Sequence, residues 1–583
     1  MALLNQTLCL LLLCAVAGLL GRIRRLPVPL PLIQILAGIV AALLGFHVAL
    51  DPALFMVLFL PPLLFSDAFR MPLREFSQLK VSIFSLAFGV VLISTVLCGY
   101  AVHWILPALS LPICFTLAAA LSPTDTIAVS SLLSGRKLPA RLIHILSGEA
   151  LFNDASGLVC FRVASVAAMT GVFSYRQALW AFALLSLGGV AIGVAMALAA
   201  AWAERMIVRL GLDEAPLQIT TMTLLPFGIY IAADSLHCSG ILATVAGCMT
   251  LKLSGVLHEA PTVTRLQGGV IWDLIGYLFN ALIFVLLGLQ MPALLSQGLD
   301  LAHHSGATGL ALAGLVCAVF AIMLVVRFAG IWLTVLERVI GERLRGRRAI
   351  VPSLGASLLL TVAGVRGAVT LAAVLSLPMA GDAGDAFPAR GLLIVVAAGV
   401  IVVSLLVASV TLPLLARMIP SPADDPIQRE EERARAALLR TALRVLRKEQ
   451  AGIVPAAGGK ADELRLEIVA RLMQLYQNRL DQTGEDAAAA PSIRVTALRR
   501  ERLELALRLT LLRAQRHELK VLHAAQYIND ESEWAMQQEL DVEESLLRRR
   551  SRRLPHEVPA SAGAEAPPVT GPVTMPVTDG MIG

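Results

Sequence analysis

The chain has 583 residues, of which 57% are hydrophobic and only 15% are charged. Soluble domains are about 45–50% apolar and about 25% charged, so this composition excludes an ordinary soluble protein and indicates a membrane protein. The formal net charge of +6 is modest. We attribute it to membrane topology, and no nucleic-acid partner is expected.

Apolar segments that are long enough to cross a bilayer run through residues 1–418. The first segment lacks a basic stretch before it, which favours a retained span over a cleaved signal peptide. Thirteen segments are predicted to be transmembrane helices: 2–20, 27–46, 53–69, 81–106, 111–133, 141–171, 177–203, 216–236, 239–254, 270–291, 307–336, 351–378 and 391–416. The predicted fold is therefore an all-α polytopic membrane protein, with a membrane domain over 1–418.

Basic residues alternate between the loops that connect these segments. One set of alternate loops is rich in Lys and Arg, whereas the other set holds only Arg176 and Arg390. The rich set comprises Arg22, Arg24, Arg25, Arg70, Arg74, Lys80, Arg136, Lys137, Arg141, Arg205, Arg209, Lys252, Arg265, Arg338, Arg343, Arg345, Arg347 and Arg348. Because basic loops stay in the cytoplasm, the pattern predicts an inner-membrane protein with a periplasmic amino terminus and a cytoplasmic tail.

Two of the predicted spans are interrupted near their middle. The fifth contains Ser-Pro-Thr-Asp at 122–125, and the twelfth contains Gly-Val-Arg-Gly at 364–367. Proline removes a backbone donor and disfavours helix in the residue before it. Such interruptions are tolerated at membrane depth only inside protein or beside a water-filled cavity, where their free carbonyls can bind a cation. The two interrupted spans have opposite orientations, which predicts inverted repeats whose broken helices cross.

Charged side chains at membrane depth cost a few kcal/mol each and therefore mark function. An acid can also pair with an arginine simply to join two helices. Here the acids outnumber the bases, so some of the acids are expected to have another role. The acids are Asp67, Asp125, Glu149, Asp154, Asp234 and Asp273, and the bases are Arg162, Arg327 and Arg366.

Five segments together resemble the monovalent cation:proton antiporter 1 family, the bacterial sodium/proton antiporters related to animal sodium/hydrogen exchangers. The matching segments are LPPLLFSDAFRMPLREF (60–76), LSPTDTIAV (121–129), SGEALFNDASGLV (147–159), DSLHCSGILATVAG (234–247) and AGVRGAVTLAAVLSLP (363–378). The resemblance implies that Asp154 carries both the ion and the proton, and that Thr124 and Asp125 complete the Na⁺ site.

The resemblance also assigns structural roles. It implies a buried ion pair between Glu149 and Arg327, against which Asn153 packs. It also implies that Arg366 is the charge that balances helix-end dipoles in the twelfth span. Electrogenic relatives carry a second Asp at the position of Asn153, so the resemblance implies electroneutral exchange. It also implies a homodimer in the lipid bilayer.

The sequence departs from the family pattern at two positions. Many members carry Ser where this chain has Ala150. The acid of the third span falls one residue later than in much of the family, so either Asp67 or Ser66 is a candidate ligand.

The predicted function is antiport of Na⁺ (or Li⁺) for H⁺, with no enzymatic activity and no cofactor. A carboxylate that is cut off from water is neutralised by either a proton or a cation, which compete for the same oxygens. Antiport of K⁺ for H⁺ remains an alternative, because sequence does not fix cavity size. An intramembrane protease using Asp125 and Asp154 is a second alternative, but the GxGD-like motif expected of such a protease is absent. The third alternative is a membrane scaffold or sensor whose function is carried by its tail.

The tail is predicted to be helical over 419–552 and disordered over 553–583. Two apolar stripes predict either a short helical bundle that packs on itself or a regulatory or self-association domain. The first stripe is Leu464, Ile468, Leu472, Leu475 and Tyr476, and the second is Leu498, Leu505, Leu509 and Leu512.

Overall fold

The structure is a computed structural model, and it is helical wherever the chain is regular, with no strand among the residues that it describes. The described residues are 2–21, 29–46, 48, 52–133, 138–171, 175–212, 214–304, 309–344, 346, 353–378, 387, 389–419, 426–452, 460–482 and 491–553. The chain divides into two compact units, Met1–Pro422 and Ala423–Gly583. The sequence-based boundary between membrane domain and tail was drawn after residue 418.

The first unit contains the membrane helices. They are α1 (Ala2–Gly21), α2 (Leu30–Leu43), α3 (Pro52–Arg70), α4 (Leu73–Phe84), α5 (Val91–Ile105), α6 (Leu111–Ala120), α7 (Thr126–Leu133), α8 (Ala140–Thr170), α9 (Tyr175–Arg209), α10 (Ala215–Ser235), α11 (Gly240–Leu253), α12 (Val256–Glu259), α13 (Thr262–His304), α14 (Gly309–Leu344), α15 (Leu354–Val362), α16 (Ala368–Leu375) and α17 (Arg390–Met418). A π-helical segment, Ser85–Val90, joins α4 to α5.

Helix is present in each of the thirteen predicted segments. Among the described residues, seven helical stretches are long and apolar enough to cross a membrane by length and composition. The number thirteen itself stays a prediction. Several helices are longer than the apolar segment from which they were predicted. Helix α13, for example, extends beyond residues 270–291 at both ends. Hydropathy marks only the apolar part of a helix, and polar turns continue it.

The helices of the first unit pack into two bundles. The first bundle comprises α1, α2, α3, α9, α10, α11 and α13, with the short helix α12 against α9 and α11, and the second comprises α4 to α8 and α14 to α17. Helices α2 and α13 pack closely in the first bundle, where a Cβ on Gly38 would lie 2.9 Å from Cα of Gly288. Only glycine permits this approach of two backbones.

Both spans that were predicted to be broken are interrupted. The fifth span is divided into α6 and α7, with non-helical backbone between Ala120 and Thr126. The twelfth is divided into α15 and α16, with non-helical backbone between Val362 and Ala368. Proline alone does not cause a break, because Pro61 and Pro62 lie inside the continuous helix α3.

The second unit contains α18 (Pro426–Gly452), α19 (Lys460–Gln482), α20 (Pro491–Ala524) and α21 (Asp530–Arg553). Leu505 and Leu512 of the second predicted stripe are buried against Leu547 of α21. In the first stripe, by contrast, Leu464, Ile468 and Leu475 are exposed, whereas Val469 of the same helix is buried. The predicted disordered end lies outside the described residues, apart from Arg553.

Candidate functional site

The two broken helices meet through their backbones. The amide nitrogen of Asp125 donates a hydrogen bond of 2.7 Å to the carbonyl oxygen of Val365. This bond satisfies two backbone groups that have no helical partner, which is required of any interruption within a membrane. It brings residues 122–125 and 363–367 to one place.

Arg366 stabilises this crossing with its positive charge. Its Nη1 atom donates hydrogen bonds to the carbonyl oxygens of Ser122, at 3.0 Å, and Pro123, at 3.2 Å. Its backbone amide donates to the hydroxyl of Ser404 at 3.1 Å. The guanidinium therefore faces the carbonyl end of α6, where a cation is favoured by the helix dipole. The resemblance placed its role in the twelfth span, whereas the helix end that it contacts belongs to the fifth.

Gly367 allows the crossing to be close. A Cβ atom at this position would lie 2.6 Å from Cβ of Asp125. Such a distance is too short for any side chain, so the glycine sets how closely α16 approaches the break in the fifth span.

Glu149 and Arg327 form a buried ion pair. The Oε1 atom of Glu149 lies 2.7 Å from Nη1 of Arg327, and the two side chains are 2% and 6% exposed. The Nε atom of Arg327 also donates to the carbonyl oxygen of Leu360 at 3.3 Å. The pair therefore joins α8 to α14 and to α15, in agreement with the pairing that the resemblance implies.

Asn153 contacts a different partner from the expected one. Its Nδ2 atom donates a hydrogen bond of 2.5 Å to the hydroxyl oxygen of Thr124, and the residue is fully buried. Its Oδ1 atom has no hydrogen-bond partner within the part of the chain that the structure describes. The amide thus orients Thr124 rather than the Glu149–Arg327 pair.

A small cavity lies beside this crossing, and we call it the central cavity. Its volume is about 60 Å³, which is enough for a few water molecules or a cation with water. Asp67, Asp125 and Asp154 line it together with Thr124 and Ala150. The Oδ1 atom of Asp154 is buried and has no hydrogen-bond partner among the described residues.

The structure distinguishes the two candidates of the third span. Asp67 lines the central cavity. Ser66 does not, because it is buried on another side of α3, with its hydroxyl 3.5 Å from the carbonyl oxygen of Trp272. The expectation that Ser66 is a ligand therefore has no support in its position.

The other two acids at membrane depth form salt bridges that the sequence did not predict. Asp234 lies 3.1 Å from Arg162, which had no assigned role, and Asp273 lies 2.9 Å from Arg70. The partners of each pair are far apart in sequence, so no local pattern could have matched them. The acids thus separate into two groups: three in salt bridges and three around the central cavity.

Sequence reasoning missed Lys252 as a structural residue. Its ammonium group donates to the carbonyl oxygens of Ala68, at 3.2 Å, and Phe69, at 2.7 Å, and also to that of Met71. The first two are carbonyls in the last turn of α3, which lack helical amide partners, and Met71 directly follows the helix. A lysine in the last turn of α11 was the available signal, but it was counted only as a basic loop residue.

Comparison with known proteins gave matches over most of the chain. The profile of the family described as sodium/hydrogen exchanger, transmembrane, matches residues 10–418. An uncharacterized Na⁺/H⁺ exchanger, YjcE, of Escherichia coli (strain K12) is 36% identical, over 92% of this chain and 97% of its own length. The sodium, potassium, lithium and rubidium/H⁺ antiporter of Bacillus subtilis (strain 168) is 38% identical, over 70% of this chain and 60% of its own length.

A solved structure has the same fold. The sodium proton antiporter MjNhaP1 of Methanocaldococcus jannaschii superposes with a TM-score of 0.53, at 20% identity, over 72% of this chain and 99% of its own.

Proposed function

The chain belongs to the sodium/hydrogen exchanger family, and from that membership we infer that it exchanges Na⁺ for H⁺ across a membrane. It is a multi-pass membrane protein whose relatives are transporters. We propose that Asp154 is the group that binds either the cation or the proton.

The division of the acids is the observation that carries this proposal. Glu149, Asp234 and Asp273 each have an arginine partner. Asp67, Asp125 and Asp154 line one cavity. Three carboxyl groups in a small space repel one another when charged, so the cavity attracts cations and protons strongly.

The proposed cation site is built from oxygen atoms. Sodium is a hard cation, and by analogy with other hard ions it is bound by carboxylates, hydroxyls, carbonyls and water. Asp154, Asp125 and Thr124 supply such oxygens from the second bundle, and Asp67 supplies another from the first. Asn153 contributes indirectly, because its hydrogen bond orients the hydroxyl of Thr124.

Competition for one site is sufficient for coupling. The bare carboxylate is costly to carry across a barrier of low dielectric constant, whereas the form loaded with Na⁺ or with H⁺ is neutral. Rocking of one bundle against the other then moves only loaded forms. With uncharged Asn153 next to Asp154, one Na⁺ exchanges for one H⁺, and we propose that the exchange is electroneutral.

The remaining charges of the second bundle hold the site in shape. Glu149 and Arg327 tie α8 to α14, and Arg366 neutralises the carbonyl end of α6. Neither arginine is among the residues that line the central cavity. Their proposed role is therefore structural.

Potassium is a second candidate substrate. The Bacillus subtilis relative is named for sodium, potassium, lithium and rubidium. A cavity of about 60 Å³ leaves room for water around a small ion or for a larger ion with less water. The choice between ions is therefore part of the test below.

For the orientation we propose a periplasmic amino terminus and a cytoplasmic tail in the bacterial inner membrane, supported by the alternating basic loops. A homodimer is proposed from the family resemblance. Chemical cross-linking in native membranes tests the dimer, and a band at the mass of one chain only would contradict it.

Dequenching of a pH-sensitive dye in everted vesicles tests the exchange itself. Addition of Na⁺ or Li⁺ is expected to release protons from acidified vesicles, and K⁺ is tested in parallel. For Na⁺ and Li⁺, the rate should not change when the membrane potential is clamped to zero with valinomycin and potassium. For K⁺ the potential has to be clamped in another way, because potassium is then the substrate. Absence of proton release with all three ions would contradict antiport, and a rate that follows the potential would contradict electroneutrality.

A further inference from the structure

A second cavity of about 510 Å³ lies next to the central cavity, on the side toward the start of α3. It is lined by the start of α3, at Met56 and Val57, and by the start of α11, at Gly240. The end of α10, the end of α16 and the second half of α8 also line it. By the alternating basic loops, this end of the first unit is the one that we propose to face the periplasm.

Only about one helical turn separates the two cavities. On α3, Val57 lines the second cavity and Leu60 lines the central cavity, a rise of about 4.5 Å at 1.5 Å per residue. On α8, Asp154 lines the central cavity and Leu158 lines the second, a rise of about 6 Å. The second cavity therefore continues the central cavity by about one helical turn, starting beside Asp154.

An ion pair bridges the two bundles at the second cavity. The Nη2 atom of Arg162, on α8, lies 3.1 Å from Oδ1 of Asp234, on α10, and both residues line the cavity. Helix α8 belongs to the second bundle and α10 to the first. The pair of Asp273 with Arg70, in contrast, lies within the first bundle.

We propose that the second cavity is the outer half of the transport path, and that the Arg162–Asp234 pair is the gate that holds it closed in this conformation. The proposal rests on the antiport function proposed above. Rocking of the bundles that opens Asp154 to the outside must separate α8 from α10 at this end, so the pair has to break.

The exposure of the pair suits that role. The side chains of Arg162 and Asp234 are 49% and 46% exposed. Half-exposed salt bridges are weak and are readily replaced by water, so such a contact can break in every transport cycle. Once released, Asp234 faces the cavity with a free carboxylate, which attracts an entering cation.

Access to a reporter cysteine from outside tests the gate. Leu151→Cys places a thiol in the lining of the central cavity, in a background without the native cysteines. Intact cells are treated with a membrane-impermeant maleimide, and the labelling rate is measured. Asp234→Asn and Arg162→Gln are each expected to raise the rate about two- to fivefold, the change in population that loss of an exposed ion pair allows. The charge swap Arg162→Asp with Asp234→Arg is expected to restore the slow rate.

Asp273→Asn is the matched control, because it removes a similar ion pair that lies within one bundle. Its labelling rate should equal that of the parent. An unchanged rate in both gate variants overturns the proposal, and so does an equal rise in the control, since that would reflect general loosening. Size-exclusion profiles establish that each variant is folded, and either gate variant alone is sufficient for the test. Labelling does not require ion exchange, so failure of the gate and failure of the antiport function are observed separately.

Discussion

The backbone amide of Asp125 is hydrogen-bonded to the carbonyl oxygen of Val365 over 2.7 Å, which ties the interruption of one helix to the interruption of another. Each group lacks a helical partner of its own, so this hydrogen bond contributes most to stability where water cannot replace it. Because of it, the position of the Asp125 carboxylate depends on the backbone of residues 363–367. The proposed cation site is therefore sensitive to changes on the opposite broken helix.

Gly367→Ala is expected to raise the apparent KM for Na⁺ about tenfold or more, because a Cβ atom would lie 2.6 Å from Cβ of Asp125 and displace it. Dye dequenching at increasing Na⁺ measures this change. Gly314→Ala is the control, since a Cβ there would meet nothing within 4 Å. An unchanged KM for Gly367→Ala would show that Asp125 is not a ligand or that the crossing is looser than described.

Asp154→Asn is expected to reduce exchange at least about a hundredfold, because an amide binds neither a proton nor a sodium ion as a carboxylate does. The amount of folded protein should stay the same, since the amide has nearly the same shape. Proton flux in everted vesicles and a size-exclusion profile measure the two quantities. Asp273→Asn, outside the central cavity, is expected to retain exchange. Sodium flux driven by a pH gradient in the Asp154→Asn variant would refute the assignment.

Glu149→Ala is expected to lower stability by about 3–5 kcal/mol, because Arg327 would remain buried and without its carboxylate. Melting in detergent and the yield of monodisperse protein report the effect. The same measurement on Asp273→Asn is expected to show a loss of about 0–1 kcal/mol, since that pair is exposed. Equal melting of Glu149→Ala and the parent protein would contradict a structural role for the pair.

Proton competition predicts a specific pH dependence. Lowering the pH on the side from which Na⁺ binds should raise the apparent KM for Na⁺, because protons occupy the same carboxylate oxygens. Where the site is mostly protonated, the rise should approach about tenfold for each pH unit. The initial rate at saturating Na⁺ should change much less. A constant KM with a falling maximal rate would indicate that protons act at a separate site.

The sequence predicted those features that depend on local chemistry. The break at Pro123 was predicted from a proline within a polar stretch of an apolar span, and the break at Gly364 to Gly367 from an arginine flanked by glycines. Proline alone is not sufficient, since Pro61 and Pro62 lie inside α3. The Glu149–Arg327 pair came only from the family resemblance, because α8 and α14 are distant in sequence. The partners of Arg162, Asp234 and Lys252 were not predicted at all, since they depend on which helices become neighbours.

The third span illustrates the same limit. Asp67 and Ser66 are adjacent in sequence, and no property of the chain alone decides which of them faces the site. In a helix, neighbouring residues point about 100° apart, so only the packing of α3 separates them. The first tail stripe shows the same limit: its helical spacing is present in α19, but the spacing does not say whether the stripe packs within the tail or stays exposed, as Leu464, Ile468 and Leu475 do.

The carboxylates around the central cavity are divided between the two bundles. Asp67 belongs to α3 of the first, whereas Asp154 and Asp125 belong to the second. When these carboxylates are ionised and no cation is bound, their negative charges repel each other across the interface between the two bundles. A captured cation or proton weakens that repulsion, so we expect binding of the substrate to favour the movement of the two bundles that transports it.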